Sequence, residues 1–187
     1  PANTFDCIPG RQMRDKNGVI SVDAYYSRVK EWISGTPTSI SGGYITDGCY
    51  RIISKANGKI FNHQGNKGKI GPILIRNAPS DEGLADYYWF YHLGNNNYRI
   101  ISVSSGLSLD LNNESPQDDA IIIHNLDGDT PTQKWILEDA GNGCFFIKNN
   151  FSGKVLQIKE KSDMIIQSVK NEDLIQKWKI EKIVSIS

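Results

Sequence analysis

Gln133-Lys134-Trp135 and Gln176-Lys177-Trp178 are two copies of one triplet, and the rest of the chain is organised around them. Each triplet follows an aliphatic run and ends a unit that begins with a strand rich in Tyr or Phe. Trp89, in Tyr87-Tyr88-Trp89, is the candidate for a third copy. The three tryptophans lie 46 and 43 residues apart, and a spacing of this size predicts an internal repeat.

Three glycines mark an equivalent point in each copy. Gly58, Gly106 and Gly153 each precede a short strand, and they lie 48 and 47 residues apart. An aliphatic strand and the tryptophan strand follow, with Gly, Asn, Asp, Pro and Ser residues between them. Each copy therefore predicts four short strands separated by turns, and an all-β fold. The predicted repeats cover about residues 45–94, 95–140 and 141–183.

Residues 1–44 differ in pattern and predict a separate N-terminal arm. Apolar residues recur at helical spacing from about residue 22 to residue 34, which indicates one amphipathic helix. Ser21 suits the N-cap and Gly35 suits the C-terminal stop. A linker follows, rich in Ser and Gly. The aromatic stripe of this helix either docks on the chain's own β domain or forms a partner surface.

Composition excludes some classes of partner. The 21 basic and 21 acidic residues balance, which argues against nucleic acid and against an anionic membrane surface. No apolar run reaches membrane-spanning length. The chain begins at Pro1 without an initiator methionine, and we expect a secreted product whose leader has been removed.

The three cysteines predict one free thiol or an intermolecular bond. Cys49 and Cys144 occupy equivalent strand positions, and we expect both to be buried and unpaired. Cys7 lies in a polar segment. In a secreted chain it could form a disulfide with a partner chain.

The sequence predicts no catalytic, metal or cofactor site. The histidines His63, His92 and His124 lie in different contexts, and no Cys-x-x-Cys motif exists. Asp127-Gly128-Asp129 resembles the start of a calcium loop but lacks downstream ligands. The glycine-rich segment Gln64–Gly71 predicts a hairpin loop, because a phosphate loop would need a helix behind it.

Three copies of about 45 residues, each with four strands, of which two end in Gln-x-Trp, resemble the ricin B-chain type of β-trefoil lectin. The resemblance covers most of the predicted β domain, residues 45–187. It implies a β-trefoil, and the helical arm predicted from the pattern of residues 1–44 precedes that domain. It also implies that each glutamine binds loop backbone while each tryptophan fills the core.

Sugar binding in that family uses an Asp after the post-glycine strand, an aromatic platform and an Asn before Gln-x-Trp. A carboxylate accepts bonds from sugar hydroxyls, and an aromatic ring packs on the sugar's C–H patch. Repeat two fits this pattern best, with Asp110 as the carboxylate, His124 as the platform and Thr132 in place of Asn. The candidate carbohydrate-binding residues are Asp110, Asn112, His124, Asp127, Thr132 and Gln133.

The other repeats depart further from the pattern. Repeat one has Asn62 and Arg76 at the carboxylate and platform positions, and these form a secondary candidate site. Repeat three has Gln157, Ser168 and Ile175 at the three positions, so we expect it to bind no sugar. Asp110 could instead cap a turn, and His124 could be an ordinary surface histidine.

The resemblance implies a lectin domain that binds cell-surface glycans, with galactose-type sugars favoured. The arm is unusual for a free-standing lectin, and Cys7 resembles the tether by which ricin-type B chains hold their catalytic partner. Both features favour a toxin component, with the arm or Cys7 as the possible attachment point of a partner chain. Subunits of cytolethal distending toxin, also ricin-like trefoils, are similar. Two alternatives stay open: a protein-binding trefoil that has lost sugar binding, and an accessory domain of a larger enzyme.

Overall fold

The computed structural model describes residues 45–62, 69–77 and 83–183. The predicted N-terminal arm with its helix, Cys7 and most of the glycine-rich segment lie outside these ranges. The arm, its helix and the domain boundaries therefore stay predictions.

The described residues form antiparallel strands, four or five to a repeat. Repeat one contains β1 (Gly48–Ser54), β2 (Ile60–Asn62), β3 (Gly71–Pro72), β4 (Leu74–Arg76) and β5 (Tyr88–Gly94). Repeat two contains β6 (Asn97–Ser102), β7 (Ser108–Leu111), β8 (Ile122–Asn125) and β9 (Trp135–Gly141). Repeat three contains β10 (Cys144–Asn149), β11 (Val155–Ile158), β12 (Ile165–Ser168) and β13 (Trp178–Lys182). The short 3-10 helices are Gly83–Asp86, Asn112–Glu114, Pro131–Gln133 and Leu174–Gln176.

Six strands close into a barrel. Their pairing order is β1, β5, β6, β9, β10 and β13, and β13 pairs back to β1. The hairpins β2/β4, β7/β8 and β11/β12 each extend from the first barrel strand of a repeat. Closure leaves the six barrel strands without a free edge. This ring with three hairpins is the predicted β-trefoil, and its core is the cluster of buried side chains at the centre.

A tight turn repeats at the end of the first strand of each repeat. The turns run from Ser54 to Gly58, from Ser102 to Gly106 and from Asn149 to Gly153. In each, the N–H of the first residue donates to the carbonyl five residues later at 2.8 Å. All three glycines have a φ of 71°, which strains any residue with a Cβ atom. The glycine spacing therefore identified the turns correctly.

The third core aromatic is Tyr88, and the assignment of Trp89 is wrong by one residue. Trp135, Trp178 and Tyr88 each lie opposite the first residue of one of these turns in the barrel pairing, and all three are fully buried. The two indole N–H groups donate to Leu109 and Leu156 carbonyls at 3.2 Å. Since strand side chains alternate between faces, Trp89 is on the opposite face from Tyr88.

Cys49 and Cys144 are both buried and free, as predicted from their equivalent strand positions. Burial raises the pKa of the Cys49 thiol from 9.0 to about 12. The thiolate is the reactive form, so this cysteine is chemically protected.

We expect Cys49 to resist iodoacetamide in the native protein at about pH 8. Because folding favours the neutral thiol, its contribution to stability is intact below pH 9.0 and is lost as the pH rises toward about 12. Peptide mass spectrometry after labelling, with a urea-unfolded sample as reference, measures the reaction. Labelling of native Cys49 as fast as in urea would contradict this expectation.

Candidate functional site

A cavity of about 660 Å³ opens beside the β7/β8 hairpin of repeat two. Its walls come from the end of β7, the turn after it, β8 and the loop before Trp135. Three of the candidate residues, Asp110, Asn112 and Gln133, line this cavity together. We call it the repeat-two pocket.

Asp110 is fixed in the wall of the pocket by three hydrogen-bond donors. Its Oδ1 accepts from the Leu111 N–H at 2.7 Å. Its Oδ2 accepts from Asn125 Nδ2 at 2.9 Å and from Gln133 Nε2 at 3.1 Å. The residue is only 5% exposed. An ionised carboxylate has about four acceptor positions, so about one is left for a ligand.

Gln133 connects this carboxylate to the loop that leads into the Trp135 strand. Its Nε2 donates to the Leu126 carbonyl at 2.7 Å as well as to Asp110. Its Oε1 accepts from the Gly128 N–H at 2.9 Å. Gln176 makes the equivalent contacts in repeat three, with Val169 and Asn171. The expected role of the glutamine in binding loop backbone is confirmed.

His124 lies in the core, and its expected convergence with Asp110 at the rim is wrong. In the β7/β8 register His124 is opposite Leu109, whereas Asp110 is opposite Ile123. Side chains alternate between the two faces of a strand, so His124 points inward with Leu109. It is 1% exposed and does not line the repeat-two pocket.

A buried tyrosine is the partner of His124. The rings of His124 and Tyr88 stack with centroids 5.8 Å apart, and Nε2 is 3.0 Å from the Tyr88 hydroxyl. Burial raises the pKa of Tyr88, so the phenol keeps its proton and can donate to the imidazole. These contacts give His124 a structural role.

Asn125, which the sequence reasoning missed, takes the place expected for His124. It lines the pocket, and its amide donates to Asp110. Counting back ten residues from Trp178 reaches Ser168, whereas the same count from Trp135 reaches Asn125. Ser168 and Asn125 also occupy the same position in the strand pairing of their hairpins. A consistent count from the tryptophans would have found it.

Asp127 and Thr132 are placed by the structure just outside the pocket lining. The Asp127 carboxylate contacts the buried Arg99 guanidinium and accepts from Ser108 Oγ at 3.3 Å. The Thr132 carbonyl accepts from Asn149 Nδ2 at 2.8 Å, and its hydroxyl is 2.8 Å from the Thr130 hydroxyl. Thr130, and not Thr132, lines the pocket.

Repeat one contains a pair equivalent to Asp110 and Gln133, but with the positions of the carboxylate and the amide exchanged. Asn62 corresponds to Asp110, and Asp86, two residues before Tyr88, corresponds to Gln133. Asn62 Nδ2 donates to Asp86 Oδ1 at 2.7 Å, and both residues are buried, at 0% and 1% exposure. The Asn62 amide of the secondary candidate site is therefore buried and bound to Asp86 inside the fold.

The remaining candidate positions lie in repeats one and three. Arg76, the platform candidate of repeat one, lies opposite Ile60 in the β2/β4 hairpin and is partly exposed. In repeat three, Gln157 Oε1 accepts from Gln176 Nε2 at 2.8 Å, so the pair of positions carries no charge. Among the three repeats, a carboxylate at the first position occurs in repeat two.

Within residues 45–62, 69–77 and 83–183, no group of three or more His, Cys, Asp or Glu side chains is arranged to hold a metal ion. That part of the chain also contains no helix with the length and apolar character of a membrane span. The Asp127 carboxylate is held by Arg99 and Ser108, which does not favour a calcium loop at this segment.

Known proteins share this architecture. A family model described as "Ricin-type beta-trefoil lectin domain-like" matches residues 32–125 and 85–167. The designed three-fold symmetric protein ThreeFoil is 23% identical with a TM-score of 0.68, over 73% of this chain and 99% of its own. The Macrolepiota procera ricin B-like lectin, solved in complex with lactose, is 21% identical with a TM-score of 0.61, over 78% of this chain and 99% of its own.

A toxin also shares the fold. A mosquitocidal holotoxin is 22% identical with a TM-score of 0.65, and the match covers 76% of this chain but 18% of the holotoxin chain. At these identities the structural likeness shows the fold alone. No curated protein sequence matches the chain.

Proposed function

The chain belongs to the ricin-type β-trefoil lectin-like family, and from this premise we propose that it binds carbohydrate through the repeat-two pocket. The Asp110 carboxylate carries the proposal. Three donors hold it in the wall of a cavity large enough for a sugar ring. A carboxylate that is already oriented accepts a sugar hydroxyl without a further loss of side-chain freedom.

Amide groups surround this carboxylate. Asn112 and Asn125 line the pocket beside it, and an amide provides both a donor and an acceptor for the hydroxyls of a sugar. Gln133 keeps Asp110 in place and also lines the pocket. No aromatic side chain is among the described lining residues, so we expect weak binding of a monosaccharide, about millimolar. Multivalent glycans would then bind more tightly.

The biological role that we propose is cell-surface recognition by a secreted toxin or agglutinin. The likeness to a holotoxin chain and to a lectin solved with lactose supports this role and a galactose-type ligand. A partner chain would be held by the arm of residues 1–44 or by Cys7. In this role the chain carries out no reaction itself.

A protein-binding trefoil is the second candidate, and exposed aliphatic side chains favour it. Ile70, Leu126, Val169 and Leu174 are each between 50% and 61% exposed. Capture of a protein partner that free galactose does not displace would support this alternative.

We expect Asp110→Asn to weaken sugar binding by about tenfold or more, because a hydrogen bond to a charged group contributes about 1.5–3 kcal/mol. The matched control is Gln157→Asn at the equivalent position of repeat three, which should leave binding unchanged. Isothermal titration with lactose measures both variants, and thermal unfolding checks that each is folded. Unchanged affinity in a folded Asp110→Asn protein would contradict the proposed site.

A further inference from the structure

The charge of the repeat-two pocket restricts its ligand. Asp110 and Glu114 both line it, and no Lys, Arg or His is among the described lining residues. Two carboxylates in a concave site repel an anionic ligand but do not repel a neutral polyol. A sugar with a carboxylate or sulfate group is therefore disfavoured.

Exposed aliphatic side chains also line the repeat-two pocket. Ile70 from repeat one and Leu126 from repeat two are 55% and 56% exposed, and both line the cavity. Ile123, which is 8% exposed, also lines the cavity, whereas the Leu111 side chain belongs to the central core. An aliphatic side chain lacks the flat face that packs on a pyranose ring. It can, however, bury a methyl group of the ligand and so remove that group from water.

The lining of this pocket therefore combines polar groups with exposed apolar groups. A ligand that fits both needs hydroxyl or amide groups for Asp110, Asn112 and Asn125, and a small alkyl group for Ile70 and Leu126. Simple hexoses have the first feature and lack the second. Sugars with a methyl substituent have both.

We propose that the repeat-two pocket selects neutral sugars that present a methyl group beside free hydroxyls, with Leu126 as a specificity-determining residue. This inference rests on the proposed function, because it concerns the same site. The methyl group can come from an N-acetyl substituent or from a 6-deoxy carbon. The two sources share the apolar contact, and they differ in whether an amide accompanies it.

Four sugars test the inference by isothermal titration: galactose, N-acetylgalactosamine, fucose and N-acetylneuraminic acid. N-acetylgalactosamine or fucose should bind about threefold to tenfold more tightly than galactose, which is the contribution of one buried methyl group. N-acetylneuraminic acid carries the methyl group together with a carboxylate. It should bind more weakly than N-acetylgalactosamine, so it tests charge separately from the methyl contact.

Leu126→Ala should remove the threefold to tenfold preference for the methyl-bearing sugar, so that the dissociation constants for that sugar and for galactose become about equal. Val169→Ala is the matched control, because Val169 occupies the same loop position in repeat three and is 61% exposed. Galactose binding with no preference, or a preference that survives in Leu126→Ala, would overturn this inference and leave the proposed function intact. Failure of all four sugars to bind would overturn both.

Discussion

Replacing Asn62 with Asp will lower the free energy of unfolding by about 3 kcal/mol or more. The Asn62 amide donates to the Asp86 carboxylate at 2.7 Å, and both side chains are almost completely buried. The substitution places two carboxylates in contact in a site that excludes water. One must then take up a proton, or the local fold must open. Urea unfolding followed by tryptophan fluorescence measures the loss.

A second substitution turns this into a test of the exchanged pair. Asp86→Asn, added to Asn62→Asp, restores one amide and one carboxylate with their places exchanged. Repeat two already has its carboxylate on this side, at Asp110, with the amide on Gln133. The double variant should therefore recover most of the lost stability, with a coupling energy of about 1 kcal/mol or more. A double variant as unstable as Asn62→Asp alone would show that the exchange does not explain the pair.

Arg99→Leu will destabilise the protein by about 3–5 kcal/mol. The Arg99 and Asp127 side chains form an ion pair that is only 2% and 8% exposed, and truncation of one partner leaves the other charge buried. Asp127 precedes Gly128, whose N–H donates to Gln133 Oε1. Loss of the pair should therefore also loosen one wall of the repeat-two pocket. Urea unfolding and lactose titration measure the two effects.

The repeats offer a matched control for this change. Arg51 occupies the equivalent position in β1, is partly exposed and donates to the Tyr87 hydroxyl at 3.1 Å. Arg51→Leu should cost no more than about 1 kcal/mol, because its contact with Tyr87 is only partly buried. Repeat three has Phe146 at this position, covered by Lys170 at 5.0 Å. Equal losses in Arg51→Leu and Arg99→Leu would refute a special role for the buried ion pair.

Features that depend on local geometry were predicted correctly from the sequence. The spacing of Gly58, Gly106 and Gly153 located three identical turns, because those turns need a positive φ. The Gln133-Lys134-Trp135 triplet predicted both the buried indole and the glutamine that binds loop backbone. The glycine turns and the Gln133–Leu126 hydrogen bond link residues close in the chain, so their spacing is fixed by the local fold.

Errors arose where a shift of one residue reverses the face of a strand. Tyr88 and Trp89 are both aromatic, and composition alone does not say which points inward. His124 and Asn125 are likewise neighbours on one strand and face opposite sides. His124 pairs with Leu109 and is buried, whereas Asn125 pairs with Ser108 and lines the pocket. Because strand side chains alternate with a period of two, register decides which residue reaches the pocket.

The sequence by itself determined the threefold repeat of short strands, and its resemblance to ricin-type lectins predicted the β-trefoil and put Asp110 and Gln133 in one candidate site. Only the tertiary structure decided that Asp127 pairs with Arg99, which lies 28 residues earlier in the chain, and that Asp86 pairs with Asn62. Neither pair follows a local spacing. Barrel closure brings these segments together, and a charge removed from water is stable only where the folded chain supplies a partner.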